Sequence, residues 1–156
     1  MTMTKRLLIV YHSATGNTQR LLDAVADGAR DPDISGIEVC VRAALAASAD
    51  EVRGAAGILL GTPENFGYMS GALKDFFDRI YYPCLEHTQG LPYGVFIRAG
   101  NDGRGAQAAI ERITTGLRWR AIALPMIVKG ELTEARLTDA ALLGQTMAAG
   151  LEAGIF

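Results

Sequence analysis

Five times along this chain a short, continuous apolar run is followed by an amphipathic stretch, always in that order. Leu7-Leu8-Ile9-Val10-Tyr11 is β-rich with no polar break, the pattern of a strand buried on both faces. Asn17 to Arg30 then places Leu21, Leu22, Val25, Ala26 and Ala29 on one helical face. Ile37-Glu38-Val39-Cys40-Val41 reads as a second strand, and Ser48-Ala49-Asp50-Glu51 has the spacing of a capping box, which predicts a short helix. Gly57 to Gly61 is a third strand. Leu73, Phe76, Phe77 and Ile80 follow at i, i+3, i+4 and i+7 and predict a helix ending near Tyr82-Pro83. Tyr93 to Ala99 is a fourth strand, and Ala106, Ala109, Ile110, Ile113 and Leu117 mark the helix after it. Ala121 to Val128 is a fifth strand, which Pro125 assigns to a sheet edge, where a missing N–H costs little. Thr133 is placed to cap a last helix carrying Leu137, Ala140, Met147 and Leu151.

Such alternation implies an α/β fold, with a five-stranded parallel sheet between two layers of helices and right-handed crossovers. The 156 residues fit one domain over 1–156, with no repeat, low-complexity tract or linker at which a second could begin. In sheets of this kind ligands bind beyond the carboxyl ends of the strands, where strand order reverses. The loops after the first, third and fourth strands are therefore the ones to read.

Composition narrows the function classes. Fifteen Lys and Arg against 17 Asp and Glu leave a net charge of −2, without the basic excess a nucleic-acid binder shows. No apolar run approaches the ~20 residues of a membrane span. The amino-terminal apolar stretch is too short for a secretory signal, so the expected location is the cytoplasm. Cys40 and Cys84 stand alone and read as small buried hydrophobes. Two histidines without ligand spacing argue against a metal enzyme.

The first loop, His12 to Thr18, brings hydroxyls from Ser13, Thr15 and Thr18, a close-approach backbone at Gly16, and the polar Asn17 to the start of a helix. Free N–H groups and the helix dipole make this an anion site. Capping alone would explain a Ser or Thr here, but four hydrogen-bonding residues crowded around one glycine exceed what a cap needs. No lysine is present, which excludes the lysine-bearing nucleotide loop. Hydroxyls and amides alone suit a terminal phosphomonoester.

Ser13-Ala14-Thr15-Gly16-Asn17-Thr18 resembles the FMN-phosphate loop of flavodoxins, S/T-x-T-G-x-T. Gly61-Thr62-Pro63-Glu64-Asn65-Phe66-Gly67-Tyr68-Met69-Ser70-Gly71 is similar to a segment of flavodoxin-like NAD(P)H:quinone oxidoreductases and NADPH-dependent FMN reductases. The resemblance implies a flavodoxin-like three-layer sandwich with strand order 2-1-3-4-5 and a bound FMN. Pro63 stiffens the second loop, and Phe66 and Tyr68 can stack on an isoalloxazine ring. By the resemblance, backbone amides of Glu64, Asn65, Phe66 and Gly67 meet the ring's N5 and O4 edge. The competing reading is a packed turn with Phe66 in the core. In the resembling reductases a Gly-rich third loop, here Ala99-Gly100-Asn101-Asp102-Gly103-Arg104-Gly105, wraps the other edge. Asn101 and neighbouring amides then face N1 and O2, with Arg98 and Arg104 near enough in sequence to reach them.

A bound FMN would carry the chemistry, with NADH or NADPH as reductant. Hydride transfer to the flavin needs no side-chain acid or base, so the lack of a catalytic triad or carboxylate pair is no objection. One-electron carriers of the flavodoxin type are usually strongly acidic, to steer toward protein partners. A net charge of −2, with Arg98, Arg104, Arg112, Arg118 and Arg120 around the third loop in sequence, favours instead a reductase passing electrons to a quinone or similar small-molecule acceptor. Tetrameric quinone reductases of this group are generally longer. Tyr82 to Leu91, with His87, is the one short candidate for an added segment, and assembly into a homo-oligomer stays open. The third alternative is a flavin-free interaction domain. Its response-regulator form would need acidic residues where His12-Ser13 and Thr62-Pro63 stand.

Overall fold

Leu7, Leu8, Ile9 and Val10 are each fully screened from solvent, as a strand covered on both faces requires. They form the centre of β1 (Lys5–Tyr11) in a computed structural model that describes residues 4–13 and 16–156. The chain continues through α1 (Gly16–Ala29), β2 (Ile37–Ala43), α2 (Ala49–Arg53), β3 (Gly57–Asn65), β4 (Tyr68–Met69) and α3 (Gly71–Leu85). After these come β5 (Pro92–Ala99), α4 (Arg104–Leu117), β6 (Arg120–Ala121), β7 (Met126–Lys129) and α5 (Glu134–Ala153).

The sheet runs β2-β1-β3-β5-β6, with β7 also paired to β5, and all these pairs are parallel. Counting β6 and β7 as two pieces of one outer strand gives the expected order 2-1-3-4-5. Register sets Leu7 beside Val39, Ile9 beside Leu59 and Leu60 beside Val95. One face of the sheet packs Phe76, Phe77, Ile80 and Ile110 of α3 and α4, together with Trp119. The other packs Leu21, Val25, Ala140 and Met147 of α1 and α5. These last two helices meet at close range, because a Cβ on Gly144 would fall 1.9 Å from the Val25 carbonyl oxygen.

Local chemistry sets the ends of several elements. Ser48 and Glu51 form the predicted capping box at α2, with the Ser48 amide donating to Glu51 Oε1 at 3.0 Å and the Glu51 amide to Ser48 Oγ at 3.2 Å. Thr133 caps α5 through the Arg136 amide. Three expectations are corrected. The fifth strand is interrupted between Ala121 and Met126, where Pro125 has no N–H to offer the ladder. The third helix runs past Pro83 to Leu85, since a proline in the last turn sacrifices only one helical bond. Cys84 is fully buried, whereas Cys40 lies on the outer strand β2 and is only half-buried. Among the described residues no helix is long and apolar enough to cross a membrane.

Candidate functional site

Strand order reverses at β1, which has β2 on one side and β3 on the other. The loops after β1, β3 and β5 therefore converge at the carboxyl edge of three adjacent strands. The His12 amide donates to the Gly61 carbonyl at 3.0 Å and so ties the first loop to the end of the third strand.

Ser13 is half-buried just beyond β1, and Gly16 and Asn17 are exposed at the start of α1. Thr15 lies outside the described residues. Thr18 is buried in the first turn of α1, and its hydroxyl has no hydrogen-bond partner among the described residues. The first amides of a helix lack intrahelical acceptors. A buried, unsatisfied hydroxyl costs about 1–3 kcal/mol, so its presence beside a helix amino end fits an anionic group that completes it. His12 Nδ1 is likewise buried and unpartnered among the described residues. A cavity of about 180 Å³ bounded by Tyr11, His12, Leu45 and Ala72 opens beside this loop, toward the end of β2.

The second loop is a hairpin, which the sequence pattern did not foresee. β3 extends to Asn65, then turns back through Phe66 and Gly67 into β4, pairing Glu64 with Met69 and Asn65 with Tyr68. Both turn residues have positive φ, 53° at Phe66 and 69° at Gly67, as a two-residue hairpin turn demands. Glycine takes that conformation freely, but phenylalanine does so at a cost of about 1–2 kcal/mol. Phe66 is fully exposed and Tyr68 41% exposed, which overturns the alternative that buried Phe66 in the core. Both rings stand at the hairpin's end, where they can cover a flat ligand. Thr62 and Ser70 close the hairpin base. The Ser70 amide donates to Thr62 Oγ1 at 3.0 Å, and Ser70 Oγ caps α3 by accepting from the Leu73 amide at 3.1 Å. Pro63 is half-buried where β3 passes into the hairpin.

In the third loop Ala99 is buried at the end of β5, Gly100, Asn101 and Asp102 are exposed, and Gly103 is the left-handed N-cap of α4. The Asn101 and Gly103 amides are engaged by the Glu64 carboxylate, Asn101 at 2.7 Å to Oε1 and Gly103 at 2.9 Å to Oε2. Behind this contact the hairpin presses on α4, because a Cβ on Gly105 would lie 1.7 Å from the Gly67 carbonyl oxygen.

The arginine expectations change in space. Arg98 turns toward the outer strand, with Nη1 donating to Val128 O at 3.0 Å and Nη2 to Gly130 O. Arg118 and Arg120 lie at the far end of α4, a helix about 21 Å long, near the amino end of β5. Of the five, only Arg104 stands exposed at the third loop itself. His87 lies beside Arg53 and Pro92 at the opposite end of the sheet from the three loops. The side chain of Glu64 is the contributor that sequence reasoning missed, having been read only for its backbone amide. The available signal was that Glu64 is the sole charged residue between Gly61 and Gly71.

A doubly wound parallel sheet with these three loops at its switch point defines a flavodoxin-like α/β protein. The model of the NADPH-dependent FMN reductase family matches residues 6–131, and the chain belongs to that family. It is 32% identical over 112 residues to a flavodoxin of Aquifex aeolicus, covering 72% of this chain and 60% of that one. To an NAD(P)H dehydrogenase (quinone) of Acidithiobacillus ferrooxidans it is 35% identical over 94 residues, 47% of this chain and 46% of the relative. The chain thus spans less than two thirds of the length of these relatives. Among solved structures, a flavodoxin from the domain Archaea superposes with a TM-score of 0.82 at 20% identity, covering 94% of this chain and 99% of the other. A flavodoxin, WrbA-like protein from Agrobacterium tumefaciens gives 0.76 at 22% identity, covering 97% and 99%.

Proposed function

We propose that this protein is an FMN-dependent oxidoreductase of the cytoplasm that accepts hydride from NADH or NADPH and reduces a quinone or similar small acceptor. The observation that carries the reading is Thr18, a buried hydroxyl at the amino end of α1 with no partner among the described residues. A terminal phosphate there would accept from Thr18, from Ser13 and from the first amides of the helix, with the helix dipole favouring its charge. Thr15 and the exposed Gly16 and Asn17 complete the proposed phosphate loop. When bound, FMN supplies hydride and electron transfer.

The residues of this chain hold and shield the ring. Phe66 and Tyr68 provide aromatic cover at one end of the cleft, and the amides from Glu64 to Gly67 supply donors along the hairpin. Ala99, Gly100 and Asn101 bound the opposite edge with little side-chain bulk, and Gly103 holds the bend into α4. Because the Asn101 and Gly103 amides already serve Glu64, the donors left to the ring there are the Gly100 and Asp102 amides and the Asn101 side chain.

A second reading, a one-electron carrier docking on protein partners, is favoured by the flavodoxin relative. Against it stands the charge balance of −2, weak for steering toward basic partners. The test is to load the protein with FMN under argon and mix it rapidly with NADH or NADPH. Bleaching of the flavin by either nicotinamide, followed by recovery on adding a quinone, is the expected outcome. An FMN-loaded protein that neither nicotinamide reduces refutes the reductase reading.

A further inference from the structure

We infer that Glu64 is the positioning residue of the ring cleft, its carboxylate fastening the third loop to the hairpin and setting the gap that the flavin ring enters. This inference rests on the flavin reading above and assigns to one side chain the spacing of two of its loops. The two carboxylate oxygens are divided between two amides of a segment 37 and 39 residues away, Asn101 at 2.7 Å and Gly103 at 2.9 Å. Besides these two bonds, the loop is braced from within, the Arg104 amide donating to Asp102 Oδ1 at 3.0 Å. Gly100, Asn101 and Asp102 are exposed, and Gly103, as the N-cap of α4, has no side chain with which to cap the helix. The Glu64 carboxylate instead takes the amides just ahead of the helix, where the positive end of α4 favours its charge.

Replacement chemistry makes the role separable. Glutamine has nearly the same volume but can accept at one oxygen only, so E64Q keeps half of the clasp. Alanine removes it. The carboxylate also lies in the seam between the two loops that would flank the ring, and it is the only charge on the hairpin. Reduced flavin gathers negative charge at its pyrimidine edge, which a fixed carboxylate opposes. Neutralising Glu64 therefore weakens oxidised flavin more than reduced flavin, and the midpoint potential rises. A tenfold difference between the two states corresponds to about 30 mV for a two-electron couple.

The experiment compares wild type, E64Q and E64A as apoproteins, each titrated with FMN and with riboflavin by fluorescence quenching. The two-electron midpoint potential of each FMN-loaded form is then measured against a reference dye. E64Q is expected to weaken FMN and riboflavin by a similar factor of about ten, because the clasp acts on the ring and not on the phosphate. E64A weakens both further, and the potential of E64Q rises by about 30 mV. Unchanged affinities overturn the proposal, as does weakened FMN with unchanged riboflavin. An unmoved potential also overturns it, since the carboxylate would then be a loop fastener that the ring does not sense. Should E64A fail to fold, judged by circular dichroism, E64Q alone decides. A wild type that takes up neither ligand refutes the flavin reading itself, whereas a wild type that binds both beside an E64Q that matches it refutes only the role of Glu64.

Discussion

Replacing Thr18 by valine should make the empty protein more stable and the loaded one weaker. The side chain is 1% exposed, and its hydroxyl has no partner among the described residues. Leaving a buried hydroxyl unsatisfied costs about 1–3 kcal/mol. Valine has nearly the same shape, the same branching at Cβ and a similar helix propensity, so the change isolates the hydroxyl. Removing the penalty predicts a gain of about 1 kcal/mol in the apoprotein, a rise in Tm of about 2–4 °C for a chain of this size. With FMN the sign reverses. A hydrogen bond to a charged phosphate contributes about 1.5–3 kcal/mol, so FMN affinity should fall about 10- to 100-fold. Riboflavin, which has no phosphate, should bind wild type and T18V alike. Apoprotein melts followed by circular dichroism and parallel titrations with the two flavins measure all three quantities. A T18V apoprotein that melts below wild type, or equal losses for both flavins, would refute the assignment of this hydroxyl to the phosphate.

Two other substitutions test the scaffold around the site. Gly105→Ala gains about 1 kcal/mol in helix propensity, but its Cβ would sit 1.7 Å from the Gly67 carbonyl oxygen. Backbone yields less readily than a side chain, so overpacking of about 1–3 kcal/mol should win. The measurement is chemical denaturation together with FMN affinity, both expected to fall, and a variant more stable than wild type would show that the hairpin moves aside at no cost. Glu51→Gln probes α2. Burial alone would raise the Glu51 carboxyl, but bonds from the Ser48 amide and the Arg42 guanidinium outweigh it and hold the group below its ordinary value. A depressed folded pKa gives stability that is complete above the unfolded value and is lost as pH falls through the folded one. The Gln variant should thus lose about 0.5–2 kcal/mol at neutral pH, with the gap to wild type closing in acid. Urea unfolding at stepwise lower pH reads this directly, and a gap that widens in acid contradicts it.

How far sequence reading reaches here depends on whether a contact is local. Leu7 to Val10 and the spacing of Leu73, Phe76, Phe77 and Ile80 declare burial through neighbours in the chain, and the strands and helices they predict are present. Ser48-x-x-Glu51 is legible for the same reason, since both partners of its bonds lie within four residues. Proline effects were only half legible. Pro125 marks an edge correctly, yet whether a strand is continuous across it, or a helix ends at Pro83, depends on how many hydrogen bonds the surroundings can forgo. The hairpin escaped because its turn carries Phe-Gly in place of the Asn-Gly or Asp-Gly that ordinarily advertises one. Sequence alone leaves Phe66 two places, over a flat ligand or in the core, and the fold shows it standing outside with positive φ. Arg98 and Glu64 are the limiting cases. Arg98 reads as a charge near a ligand and Glu64 only through its backbone amide, yet each side chain turns to main-chain groups of a segment at least 30 residues away, carbonyls for Arg98 and amides for Glu64. Main-chain donors and acceptors exist at nearly every residue, so no pattern of side chains reveals which ones a charged group will choose. That choice follows from the sheet, which brings the ends of β3 and β5 side by side and leaves the third loop within one side chain's length of Glu64. The parts of this site that most need an experiment are therefore those that the strand order, rather than the local motif, has brought together.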